Sequence, residues 1–164
     1  MADTFKIKGL VAEDFINYKQ PSMFIISSMC DWKCCHEGGF DESICQNQPM
    51  ARMPVKEIPL KSFYDAYINN DITKAIVVGG LEPMLQFDEV LSLIKYFREL
   101  NCQDMFVIYT GYYKDEIREK IAQLIPYKNI IIKFGRYIPN NTPHFDEVLG
   151  INLVSNNQYG EQIC

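Results

Sequence analysis

The sequence predicts an α/β fold built on a mostly parallel sheet. Short apolar runs alternate along the chain with stretches of helical spacing, the order that builds a sheet with crossover helices. The 164 residues are 48% hydrophobic and 13% aromatic, enough for a real core in one unit, and no repeat or linker divides 1–164. That length excludes a closed eightfold β/α barrel, which takes about 250 residues, so any barrel built from this chain is an open one.

Met23–Ser27 (MFIIS) predicts a buried strand running into a segment rich in Gly, Asp and Ser, which predicts loop. Lys61–Asn69 predicts a helix, and Ala75–Val78 (AIVV) a short strand that stops at Gly79-Gly80. From Phe87 to Leu100 the residues Val90, Leu91, Leu93, Ile94, Phe97 and Leu100 recur at helical spacing and predict an amphipathic helix. Met105–Tyr109 (MFVIY) predicts a third strand. Tyr113–Leu124 predicts a helix with Ile117, Ile121 and Leu124 on one face, and Asn129–Phe134 (NIIIKF) a further strand before an irregular C-terminal region. Ligand sites of parallel sheets lie at the carboxyl ends of the strands, so Cys30–Cys45 and Gly79–Pro83 are expected on one rim.

Sixteen Lys and Arg against 21 Asp and Glu give a net charge of −5, the wrong sign for a surface that tracks nucleic acid. No apolar run approaches the roughly 18 residues of a membrane helix, and Met1–Lys8 lacks the apolar stretch of a secretory signal, so no membrane partner and a cytoplasmic location are expected. In that reducing compartment six cysteines seldom form a disulfide framework, and four of them fall between Cys30 and Cys45. Such clustering points to metal. The chain has no G-x-G-x-x-G, P-loop or H-E-x-x-H, the usual cues for dinucleotide, nucleoside triphosphate and zinc-protease chemistry.

Thiolates gathered by a flexible loop hold zinc or an iron–sulfur cluster. Zinc sites usually pair their ligands twice, and here Cys30-x3-Cys34 is one pair without a tidy second. A cluster with three protein ligands and one open iron is satisfied by Cys30, Cys34 and Cys45, with Cys35 and His36 as rival ligands. The zinc reading, a non-catalytic interaction module, stays open at this level. Among the smaller signals, His144 in a Pro-flanked loop reads as a surface residue, and Trp32 reads either as a shield for a cluster or as packing.

The run MCDWKCCHEGGFDESICQN resembles the cluster loop of radical S-adenosylmethionine enzymes, whose pattern is C-x3-C-x2-C with an aromatic or apolar residue before the third Cys, the place held here by Ile44. Ten residues separate Cys34 from Cys45 where that pattern has two. Cys45-Gln46-Asn47 is similar to the C-x-N of the activating proteins of anaerobic ribonucleotide reductase. Gly79-Gly80-Leu81-Glu82-Pro83 resembles the G-G-E-P motif of the superfamily, with Leu81 inserted. Tyr109-Thr110-Gly111-Tyr112, Gly135-Arg136-Tyr137 and Ser155-Asn156-Asn157-Gln158 resemble later segments of the activases, and Asp14-Phe15-Ile16-Asn17 an early one whose following glycines are Tyr18 and Lys19 here.

The resemblance implies an open, partial (β/α) barrel with a [4Fe-4S] cluster at the C-terminal rim of the strands. It implies Cys30, Cys34 and Cys45 as ligands and S-adenosylmethionine as the second cofactor. Gly79, Gly80 and Glu82 would hold the amino end of that ligand, with Ile44, Tyr109 and Thr110 beside it. The implied activity is reductive cleavage to a 5′-deoxyadenosyl radical that takes a hydrogen from a glycine of a partner glycyl radical enzyme, the large subunit of anaerobic ribonucleotide reductase. A flavodoxin or ferredoxin-type protein would donate the electron. Only Cys102 and Cys164 remain after the loop, too few for a second four-cysteine cluster. A radical enzyme acting on a small metabolite or a peptide is the alternative within the same chemistry.

Overall fold

The structure, a computed structural model, describes residues 2–45 and 47–164. Its four central strands are β2 (Ser22–Ser27), β4 (Ala75–Gly79), β5 (Met105–Tyr109) and β6 (Ile130–Phe134), all parallel. Each is a short apolar run buried along nearly its whole length, as strands covered on both faces must be. Antiparallel strands extend this centre on both sides. β1 (Thr4–Asp14) and β3 (Lys56–Pro59) lie beyond β2, and β9 (Tyr159–Gln162) beyond β6, giving the order β3-β1-β2-β4-β5-β6-β9. The observed class is therefore a mixed α/β fold with a parallel central sheet.

Side chains alternate across the central strands and divide the core in two. Met23, Ile25, Ile76, Val78, Phe106, Ile108, Ile130 and Ile132 face one way. Onto that face pack Leu60, Phe63 and Tyr67 of α3 (Leu60–Ile68), five residues of α4 (Phe87–Glu99) from Phe87 to Phe97, and Ile121 and Leu124 of α5 (Arg118–Leu124). The helices form because these residues recur at helical spacing, and α4 adds Asp88 and Glu89 in its first turn and Arg98 in its last, matching the helix dipole. Phe24, Ile26, Ala75, Val77, Val107 and Ile131 face the other way, where none of these three helices lies; Met50 packs there, and a C-terminal hairpin, β7 (His144–Asp146) and β8 (Ile151–Leu153), contributes Leu149 and Leu153.

The structure departs from the sequence reading in three places. β1, β3 and the three C-terminal strands were not expected, because β1 loses its two-residue alternation at register shifts between Ile7 and Gly9 and between Val11 and Asp14, and the others are three or four residues long. The helix expected over Tyr113–Leu124 is a 3-10 turn, Lys114–Ile117, followed by α5, broken where Ile117 leaves helical geometry (φ −128°, ψ 27°). The cysteine segment is not all loop: it holds α1 (Lys33–Gly38) and a 3-10 turn at Glu42–Ile44, and α2 (Gln48–Ala51) follows it. Gln46 of the Cys45-Gln46-Asn47 run lies outside the described residues. Among the described residues no helix is long and apolar enough to cross a membrane.

Candidate functional site

The face opposite α3, α4 and α5 holds a cavity of about 550 Å³. Cys30, Cys34, Cys35 and Cys45 line it, together with Gly80, Glu82, Tyr109, Thr110, Gly111 and Lys133. The cysteines come from the segment that follows β2, and the others from the ends of β4, β5 and β6, so chain order along the parallel strands delivers them to one place. Two expected site residues are not brought there. Ile44 is 52% exposed in its 3-10 turn, and Gly79 is buried in β4, its carbonyl accepting from Ser27 Oγ at 2.9 Å, with neither lining the cavity. His36 is also absent from the lining and stands 3.8 Å from Glu42, while Cys35 is 1% exposed.

Gly80 is fixed by backbone shape. Its φ of +83° belongs to the left-handed region, and a Cβ there would lie 2.5 Å from Ile26 Cγ2. The turn carries Glu82 under the rim, where the carboxylate is 6% exposed and accepts three hydrogen bonds. Met84 N (2.9 Å) and Thr110 Oγ1 (2.8 Å) donate to Oε1, and Gly111 N (2.8 Å) donates to Oε2. Burial holds its pKa above the ordinary carboxylate value, against those three donors and Lys133, which pull it down. Glu82 thus ties the end of β4 to the end of β5.

The thiols sit in the same dry surroundings. Burial pushes Cys30 up to about 12, opposed by the hydrogen bond that Trp32 N donates to its sulfur at 3.3 Å. Burial raises Cys34 too, opposed by a backbone donor at Tyr137 and by Lys133, and Cys35 is pushed up to about 11. Desolvated thiols lose their protons when a metal replaces the missing solvation. Among the described residues no three His, Cys, Asp or Glu side chains form a group that holds one metal ion. Several sulfurs spread around one cavity suit a polynuclear cluster, in which each thiolate takes its own iron, so the donor set fits the expected group. The β5 rim lies against one of the sulfurs: a Cβ on Gly111 would be in ordinary contact with Cys34 Sγ, at 3.4 Å.

Lys133 was missed in the sequence, although a lone cation inside an apolar run such as IIIKF is itself the signal. It is 7% exposed, donates to Gly135 O at 3.2 Å, and lies 5.5 Å from the centre of the Tyr109 ring. Burial lowers its pKa to about 8, with Glu82 and Cys34 acting against the shift. Tyr109 closes the far side by donating its hydroxyl to Asn17 O at 2.6 Å. Trp32 lines the cavity with φ 56°, a left-handed conformation rare for a bulky residue.

The chain belongs to the 4Fe-4S single cluster domain family, whose model matches residues 22–157. This family is found in radical S-adenosylmethionine-type proteins, and binding of an iron–sulfur cluster is the function it supports. No curated protein matches the chain.

Proposed function

We propose that the protein is a radical S-adenosylmethionine activase that takes a hydrogen atom from a glycine of a partner polypeptide. One observation carries the reading: the cysteines of the loop and the Gly80–Glu82 turn, from separate parts of the chain, line the same cavity. A [4Fe-4S] cluster with an open iron, when bound, supplies one-electron cleavage of S-adenosylmethionine to the 5′-deoxyadenosyl radical. Cys30, Cys34 and Cys45 would hold that cluster, with Cys35 as a buried neighbour. Gly80 gives the amino end of the second cofactor close access to backbone, and Oε2 of Glu82, which accepts one hydrogen bond, has a lone pair left for it. Gly79 acts through Gly80, and Ile44, outside the cavity, is left without a role.

Tyr109, Thr110 and Lys133 form the wall beside that position and keep water out, the protein's part in such chemistry. The winding supports an open, partial barrel: β2, β4, β5 and β6 follow in sequence order, and the three long helices pack on one face with the cavity on the other. About 550 Å³ is the size of a small-ligand site, and filling it with the cluster and the second cofactor favours a substrate that arrives as a separate body. The large subunit of anaerobic ribonucleotide reductase is the partner the resemblance implies, with a flavodoxin or ferredoxin-type donor, in a reducing cytoplasm.

The test is anaerobic iron, sulfide and zinc analysis, with electron paramagnetic resonance of the dithionite-reduced protein before and after S-adenosylmethionine. The expected result is a four-iron signal that changes on adding the ligand, lost in C30A, C34A and C45A and kept in C35A. Zinc without such a signal would overturn the reading. Loss in C35A with retention in C45A would overturn the ligand set alone.

A further inference from the structure

Three motifs that the proposed chemistry leaves without a task, Gly135-Arg136-Tyr137, Asn157 in the C-terminal segment, and Gly111 in the β5 rim, meet at one side chain. Arg136 is 7% exposed. Its Nε donates to Glu37 Oε2 and its Nη2 to Glu37 Oε1 at 3.0 Å. Nη1 donates to Glu116 Oε1 at 2.7 Å and to Gly111 O at 2.9 Å, and Nη2 to Glu116 Oε2 at 2.8 Å. All five guanidinium N–H groups are therefore used, and the Tyr113 ring covers one face at 4.7 Å.

Both carboxylates lead to the cysteine loop. Glu37 belongs to α1, the helix that carries Cys34 and Cys35, and Glu116 also accepts from Lys33 Nζ of α1 at 3.1 Å. The helix is thus tied to the rim at Lys33 and again at Glu37, four residues apart and on the same face. It needs such ties. At six residues it is far below the length at which a helix holds itself, and its N-cap, Trp32, is left-handed and makes no side-chain capping bond.

Arg136 is held in turn by the C-terminal segment. Asn157 Nδ2 donates to Arg136 O and to Tyr113 Oη, each at 2.8 Å. The preceding Gly135 has φ +108°, and a Cβ on it would lie 3.0 Å from Asn157 O.

We propose that Arg136 is the positioning residue of the cysteine loop, fastening α1 to the sheet rim through Glu37 and Glu116, with Asn157 fixing Arg136. Its effect on a cluster rests on the reading of Cys34 as a ligand, and the fastening itself does not. A lysine in this place has no planar fork to serve two carboxylates and a carbonyl together, so the conservative variant fails to rescue.

The experiment is amide hydrogen exchange on the full-length apoprotein of wild type, R136K, E37Q and N157A. Loss of the fork is expected to speed exchange in α1 on the order of tenfold in R136K and E37Q, and less in N157A, with β4, β5 and β6 unchanged. Exchange in α1 within about twofold of wild type in both R136K and E37Q would overturn the proposal, since local opening is what such exchange reads. So would acceleration spread evenly over the sheet, which is general destabilisation; E37Q, at a half-exposed carboxylate, guards against a variant that simply fails to fold. On reconstituted protein, R136K is expected to lose iron to a chelator faster and to give a broader signal of the reduced cluster than wild type. Equal chelation rates and signals would remove the link to the cluster. Wild type that takes up no iron would sink the cluster reading and leave the exchange arm to decide on the fastening.

Discussion

Replacing Gly80 by alanine is expected to destabilise the protein by about 2–5 kcal/mol, the sum of two separate costs. The left-handed φ of +83° costs a residue with a Cβ about 1–2 kcal/mol. The new Cβ would also sit 2.5 Å from Ile26 Cγ2 and 3.2 Å from Ile26 Cα, and overpacking of that kind costs about 1–3 kcal/mol. Gly79→Ala is the internal control. No left-handed φ is involved there, and the nearest atoms to its Cβ are Tyr109 Cβ at 3.1 Å and Phe24 Cε2 at 3.2 Å, so only the low end of the overpacking range applies, about 1 kcal/mol.

The two costs at Gly80 are separable by a double-mutant cycle with Ile26→Ala, which removes Cγ2 and leaves the backbone alone. I26A by itself is expected to cost about 2–5 kcal/mol as a large-to-small core change. In G80A/I26A the 2.5 Å overlap with Cγ2 disappears, while the backbone cost and the approaches to Ile26 Cα at 3.2 Å and Cβ at 3.3 Å stay, so the double variant should be more stable than the sum of the singles by about 1–2 kcal/mol, most of the overpacking cost. Urea unfolding followed by circular dichroism reads the four proteins of the cycle and G79A, with the m-value checking that each unfolds in the same way. Additivity within about 0.5 kcal/mol, or a G79A variant less stable than G80A, would refute the reasoning.

Thr110→Val removes a hydroxyl that donates to Glu82 Oε1 and accepts from Tyr112 N at 3.0 Å, and is expected to cost about 1–3 kcal/mol where T110S costs far less; equal denaturation midpoints would contradict this. Glu116 is held at about 2, below its ordinary 4.5, chiefly by the Arg136 fork. A depressed carboxylate contributes stability that is present above its unfolded value and lost as the pH falls toward its folded value. Wild type should therefore lose stability between pH 4.5 and 2 more steeply than E116Q, and parallel acid limbs in acid titration of the two would exclude the fork as the cause.

The degree to which the sequence announced this molecule varies element by element. Runs such as AIVV and MFVIY are too short and too uniformly apolar for anything but strands buried on both faces, and β4 and β5 stand where those runs predict. β1 hid because only Phe5 and Ile7 keep the alternation before the bulges, after which Leu10 to Glu13 lie exposed. In the site, residue type and spacing marked the four cysteines and the Gly79–Glu82 segment. Ile44 carried a positional resemblance and no physical signal of its own, and the chain turns it outward.

By itself the sequence determined the parallel centre and the cysteine loop, because burial and ligand type are local properties written in each run. Tertiary structure alone decided which face of the sheet takes α3, α4 and α5 and which holds the cavity, that Lys133 lines it, and that Arg136 reaches Glu37 across 99 residues. Those outcomes depend on which strands become neighbours, and sheet pairing is set by the whole core rather than by any segment of it.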